Sequence, residues 1–225
     1  MPLRKTVFAD GEFYHIFNRT INKETIFSRS SECNRFLLSL FYYQHLNLPA
    51  KLSYFLSFGF DKRLEVIKNL EEIQKRIEII CFCLMPNHYH LLLKQLAKDG
   101  ISSYVRLFQN SFTRFFNTKN TRSGYLFEGQ FKAVRVEDNN QLLHLNRYIH
   151  LNPYSSFVVK HLEELEDYPY SSFAKYLGKK QNNLIACHKE IVLSQFPDIK
   201  SYKRFIYDQA GYQKQLKLIR HLTFE

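Results

Sequence analysis

His88 and His90 stand one residue apart in the apolar run Cys-Phe-Cys-Leu-Met-Pro-Asn-His-Tyr-His-Leu-Leu-Leu. Side chains alternate faces along a strand, so a His-x-His pair sets two imidazoles side by side on one face. Imidazole is a common ligand for divalent metals. Two ligands leave most of a coordination sphere open, which a catalytic metal needs and a structural one avoids. A second set lies in Asn-Gln-Leu-Leu-His-Leu-Asn-Arg-Tyr-Ile-His-Leu-Asn, residues 140–152. On a helix, Leu142, Leu145 and Ile149 form an apolar stripe, while Tyr148 and Asn152 share another face with His144. A tyrosine above a metal site is a candidate covalent nucleophile. An adjacent Asn carbonyl is an oxygen ligand suited to Mg²⁺ or Mn²⁺.

Together these residues describe phosphoryl transfer. With a metal on His88, His90 and Asn152, a non-bridging oxygen of a scissile phosphate would be polarised. Tyr148 would attack in line and a nucleotide hydroxyl would leave. The tyrosyl ester conserves the bond energy, so the strand could be rejoined to another hydroxyl. Each group also has an ordinary reading. His-x-His occurs on strands with no metal, and Tyr148 could simply pack at a helix edge. Tyr154 is a rival nucleophile, and Asn152 could cap the helix before Pro153. His144 and His150 read as helix-surface residues.

These side chains need elements to hold them. Phe13 to Arg19 alternates bulky and polar residues and reads as a strand. A helix follows from about Ser31 to His45, with Ser30 as its cap. Residues 46–60 read as irregular, Asp61 to Lys75 as a charged helix, and 46–76 together as an insertion. Ile77–Met85 and His88–Gln95 form a hairpin around the turn Pro86-Asn87. Ser102 or Ser103 caps a helix reaching about Asn117, and Tyr125 to Val136 returns to β character. Asp138 or Asn139 caps the tyrosine helix, which Pro153 is expected to end near Asn152. The order predicts an α+β fold with a ferredoxin-like βαββαβ core, an antiparallel sheet and one further helix. Tyr168 to Ser172 reads as a turn, and 187–225 as largely helical and basic. The expected division is a catalytic domain over 1–178 and a basic extension over 179–225.

The chain has 225 residues and a formal net charge of +11. That excess predicts a polyanionic partner, nucleic acid first. Residues 94–135 carry eight basic side chains against two acidic ones. Arg114, Lys119, Arg122 and Lys132 are the best candidates there for phosphate contacts, which would make binding steeply salt-dependent. Phe108, Phe112 and Phe115 share helical spacing and read as core. No apolar run reaches the roughly 18 residues of a membrane helix. The start Met-Pro-Leu-Arg-Lys-Thr lacks a signal peptide's apolar core. Cys33, Cys81, Cys83 and Cys187 lack zinc-site spacing and read as free thiols in a reducing cytoplasm.

Four ordered blocks carry a family resemblance: Tyr14 to Arg19 (Tyr-His-Ile-Phe-Asn-Arg), Met85 to Leu93 with Gly124 to Lys132, Arg147 to Pro153, and Tyr168 to Ser172. The chain resembles the REP-associated tyrosine transposases, members of the HUH (His-hydrophobic-His) single-strand DNA nucleases, over roughly residues 8–178. The resemblance implies a ferredoxin-like fold and a single catalytic tyrosine forming a 5′-phosphotyrosine intermediate. It implies Mg²⁺ or Mn²⁺ dependence and recognition of hairpin-forming single-stranded DNA, by a monomer rather than a homodimer. Carried over, Tyr148 is the nucleophile, and His88, His90 and Asn152 are the metal ligands. Arg19, in the first block, joins the DNA-binding candidates. Two other functions stay open: a hairpin-binding protein without turnover, and a phosphodiesterase using metal-bound water.

Overall fold

The structure is a computed structural model and describes residues 6–215. The N-terminal reading, apart from Thr6, and the last part of the basic segment 187–225 lie outside these residues. Four strands form the sheet: β1 (Phe13–Arg19), β2 (Ile77–Met85), β3 (His88–Gln95) and β4 (Lys132–Arg135). Their order is β2-β3-β1-β4 with every pairing antiparallel. Helices α1 (Ser30–Tyr43), α2 (Leu52–Phe55) and α3 (Phe60–Glu72) link β1 to β2, and α4 (Gly100–Lys119) links β3 to β4. After β4 come α5 (Asn139–Ser155), α6 (Phe173–Tyr176), α7 (Glu190–Leu193) and α8 (Ile199–Tyr207). This is the ferredoxin-like α+β arrangement that the element order predicts.

Strand alternation sorts the side chains onto two cores. Tyr14, Ile16, Tyr89, Leu91 and Leu93 face α1 and α4, where Phe36, Phe108 and Phe112 pack. Leu52, Phe55, Val66 and Leu70 of the 46–76 segment join this core. On the other face, Ile80, Cys81, Cys83, Met85 and Leu92 meet Leu142, Ile149 and Leu151 of α5 and Val192, Tyr202 and Ile206 beyond it. A register shift between Ile79 and Cys81 re-phases β2, so that Ile79 and Phe82 both reach the first core. The Tyr168–Ser172 turn covers the outer edge of β2, with Leu84 N–H donating to Tyr170 O at 2.8 Å and Ser172 N–H to Phe82 O at 3.0 Å. All four cysteines are free thiols. Among the described residues no helix is long and apolar enough to cross a membrane.

Several expectations are corrected. Helix α5 does not stop near Asn152 but runs through Pro153 to Ser155. Proline removes only its own N–H, and Ser156 N–H still closes the last turn on Asn152 O at 3.0 Å. Residues 46–60 are not wholly irregular, because α2 forms at Leu52–Phe55. Of the span 125–136, only Lys132–Arg135 is strand. Helix α4 begins at Gly100, ahead of Ser102, because the Gln95 side chain accepts from Ile101 N–H at 3.2 Å. A Cβ at Gly100 would lie 2.2 Å from Arg76 O, so the start admits only glycine. Ser30 does not cap α1: Arg29 holds that position with no side-chain bond.

Candidate active site

The α5 side of the central strands carries the polar groups. Register pairs Phe17 of β1 with His90 of β3, and Arg19 with His88. His88 and His90 therefore share a face with His15, Phe17 and Arg19. The His88 and His90 rings lie 5.1 Å apart, centroid to centroid, nearly perpendicular. His88 Nδ1 lies 2.6 Å from Asn87 Oδ1 in the hairpin turn. His90 is 5% exposed.

Helix α5 delivers the tyrosine. Asp138 caps it, accepting from Gln141 N–H at 2.8 Å. Its apolar residues rest on β2 and β3, which turns Tyr148 edge-on to His90, with ring centroids 5.5 Å apart. The Tyr148 ring also stands 6.1 Å from that of His15. Asn152, one turn further, is fully buried, and its Oδ1 accepts from Ser156 Oγ at 3.3 Å. The rival Tyr154 lies elsewhere on the helix, with Lys214 Nζ 4.1 Å above its ring.

Two histidines had no role, or a different one, in the sequence. His15 Nε2 and His90 Nδ1 share a hydrogen bond of 2.9 Å. His15 is 6% exposed, and burial pushes its pKa down to about 4, so it stays neutral. The i, i+2 spacing of His15 and Phe17 on a strand paired with the His-x-His strand was the available signal. His150 is not a surface residue: it is fully buried under α8, and burial pushes its pKa down to about 3. Its Nδ1 lies 2.8 Å from Tyr202 Oη and its Nε2 2.8 Å from Ser172 Oγ. Tyr202 in turn donates to Asn146 Oδ1 at 2.8 Å. His144 is exposed as expected, with Nδ1 2.6 Å from Arg147 Nη2.

The basic candidates fall in different places. Arg114 and Arg122 line a groove with Thr113, Asn117 and Tyr125. Lys119 Nζ donates to Glu32 at 2.7 Å and to Ser31 at 2.8 Å. Lys132 Nζ sits 6.0 Å above the Phe17 ring, on the histidine side of the sheet. Arg19 is exposed at the end of β1, opposite His88.

Two imidazoles on a rigid strand and an amide oxygen one turn from the tyrosine are N and O donors that fit a divalent cation. Among the described residues, no group of three or more His, Cys, Asp or Glu side chains is gathered to hold one. A third protein ligand here would be an amide rather than a carboxylate.

Comparison with known proteins gives a family and a similar fold. Residues 39–152 match the family model described as transposase IS200-like. No curated protein matches the chain. Among solved structures, the fold is similar to that of a REP-associated tyrosine transposase bound to a REP hairpin. That match has a TM-score of 0.55 at 14% identity and covers 83% of this chain and 92% of the other.

Proposed function

The chain belongs to the IS200-like transposase family, and from that premise we propose that it is a metal-dependent single-stranded DNA endonuclease and strand transferase. DNA processing follows from the family; the nucleophile, the metal and the target are our reading. The observation that carries it is the seating of Tyr148 edge-on against His90, 5.5 Å between centroids, within one chain. Action as a monomer is part of the same reading.

Tyr148 Oη attacks the scissile phosphorus and the P–O3′ bond breaks. The phenol proton is lost and the 3′-oxygen gains one, leaving a 5′-phosphotyrosine and a free 3′-hydroxyl. Reversal with a different 3′-hydroxyl joins strands. His88, His90 and Asn152 would hold Mg²⁺ or Mn²⁺, which when bound draws charge off the scissile phosphate. The walls of Phe17 and His15 hold the His90 ring in place, so it need not be ordered during the reaction. Lys132 and Arg19 stand beside the site to receive backbone phosphates. Arg114 and Arg122 line a separate groove for more of the strand, with Tyr125 able to stack a base. The structurally similar transposase was solved on a REP hairpin, and hairpin-forming repeats are the target we propose here. The protein would act in the cytoplasm.

The test is a denaturing gel of the protein with hairpin-bearing single-stranded oligonucleotides from its gene's flanks, with Mn²⁺ or EDTA. The expected result is a metal-dependent protein–DNA adduct, lost in Tyr148→Phe. Binding on native gels without adduct or cleavage would make it a hairpin-binding protein instead. Cleavage that survives in Tyr148→Phe would move the chemistry to metal-bound water or to Tyr154.

A further inference from the structure

We infer that His15 is a positioning residue for the metal site, fixing the proton of His90 on Nδ1 so that His90 presents Nε2 as its ligand atom. The inference rests on the reading of His90 as a metal ligand. Its ground is the 2.9 Å bond between His15 Nε2 and His90 Nδ1. Both rings are almost wholly withdrawn from water, at 6% and 5% exposure.

A neutral imidazole carries one N–H and one lone pair, and its partners decide which nitrogen holds which. When both imidazoles of such a pair are neutral, the shared hydrogen bond has two arrangements. If His15 donates, His90 keeps its proton on Nε2 and cannot offer that atom to a metal. If His90 donates from Nδ1, His15 accepts on Nε2, keeps its own proton on Nδ1, and the His90 Nε2 lone pair can bind. A ligand atom at His90 Nε2 requires the second arrangement, and it is the one we assign to this pair.

Packing supports the same role. The rings of His15 and Phe17 stack at 4.9 Å, and Phe17 lies 5.7 Å from His90, directly opposite it in the β1–β3 register. The orientation of the His90 ring is thus set from two sides by neighbouring residues of one strand. Histidine ligands commonly donate their second N–H to a carboxylate, a carbonyl or water. A carboxylate here would add negative charge beside a site that must admit phosphates. A neutral imidazole gives the same orientation without that repulsion.

The test compares wild type, His15→Phe, His15→Gln and His90→Ala. Mn²⁺ affinity is read by electron paramagnetic resonance, and the His90 tautomer in metal-free protein by ¹⁵N-detected NMR. The expected wild-type tautomer has the His90 proton on Nδ1. His15→Phe keeps the ring and its packing but cannot accept, and its Mn²⁺ affinity should fall about 10–100-fold. His15→Gln can place Oε1 near the position of the missing acceptor and should recover most of that affinity. Thermal melting checks that each variant is folded. Should His15→Phe misfold, the NMR tautomer and the Gln variant still decide. Equal Mn²⁺ affinity in wild type and folded His15→Phe, or a His90 proton on Nε2, would overturn the inference. Mn²⁺ binding that ignores His90→Ala would instead sink the metal-site reading beneath it.

Discussion

The two faces of the sheet are built from the same strands, one residue out of step, and they have opposite characters. Toward α1 and α4, Tyr89, Leu91 and Leu93 enter an aromatic core in which Phe36 meets Phe108 at 5.5 Å and Phe112 at 5.2 Å. Toward α5, the same strands offer His15, Phe17, His88 and His90. The apolar face specifies the polar one. A slip of one residue would drive both imidazoles into the aromatic core and expose Tyr89, so the burial of Tyr89 and Leu91 fixes where the histidines stand.

The largest effects should separate the faces. Phe108 is fully buried and edges against Tyr89 at 5.5 Å and Tyr104 at 5.0 Å. Phe108→Ala should cost about 3–5 kcal/mol, lowering the melting temperature by about 10 °C. Adduct yield per folded molecule should hardly change. His90→Ala should abolish adduct formation while stability falls by only about 1–2 kcal/mol, from the orphaned His15 bond. Chemical melts and adduct gels on both variants read this directly. A folded Phe108→Ala protein without activity would mean that the two faces are not separable.

The contrast also explains what the sequence could tell. Strands β1, β2 and β3 were legible to the residue, because alternation and the Pro86-Asn87 turn are local signals. The placing of Tyr148 over the His-x-His pair followed from helical spacing and the family motifs. The His15–His90 bond was not legible, since it depends on a β1–β3 register between residues 75 positions apart. Nor was the burial of His150, which comes from Tyr202, 52 residues later, settling over it. The end of α5 is misread from sequence because proline forbids one hydrogen bond, not a whole turn. A count of charges over 94–135 could not reveal that Lys119 meets Glu32, 87 residues before it.

A middle-sized effect should come from the far side of α5. His150 is held neutral, with its pKa pushed down to about 3 by burial. An unfolded chain takes up that proton below about pH 6.5, and the native state cannot. Stability is therefore lost as pH falls from about 6.5 toward 3, by about 2 kcal/mol at pH 5 from this group alone. His150→Phe removes the titration but leaves Tyr202 and Ser172 short of a partner, so it should be the less stable protein at pH 7. As pH falls to 5, the gap between variant and wild type should close by about 2 kcal/mol in urea melts. A gap independent of pH would mean that His150 is not held neutral.

The smallest effect tests whether exposed charge along the α4 groove means binding to DNA. Arg114 is exposed and lines the groove shared with Arg122 and Tyr125. Lys119 lies close in sequence, but its ammonium is held 2.7 Å from Glu32, whose side chain is 4% exposed. Burial raises the Glu32 pKa, but hydrogen bonds from Lys119 and Ser31 outweigh it and hold the carboxyl below its usual range. Lys119 is thus engaged in joining α4 to α1. A cation that neutralises a phosphate adds roughly one to the slope of log K against log salt, and its removal should take that increment away. Arg114→Ala should show that change in hairpin binding titrated from low to high salt. Lys119→Ala should leave the slope unaltered and cost about 1 kcal/mol of stability instead. If the two variants changed the slope equally, Lys119 would have to leave Glu32 when DNA arrives, and the groove would extend along α4 to its last turn.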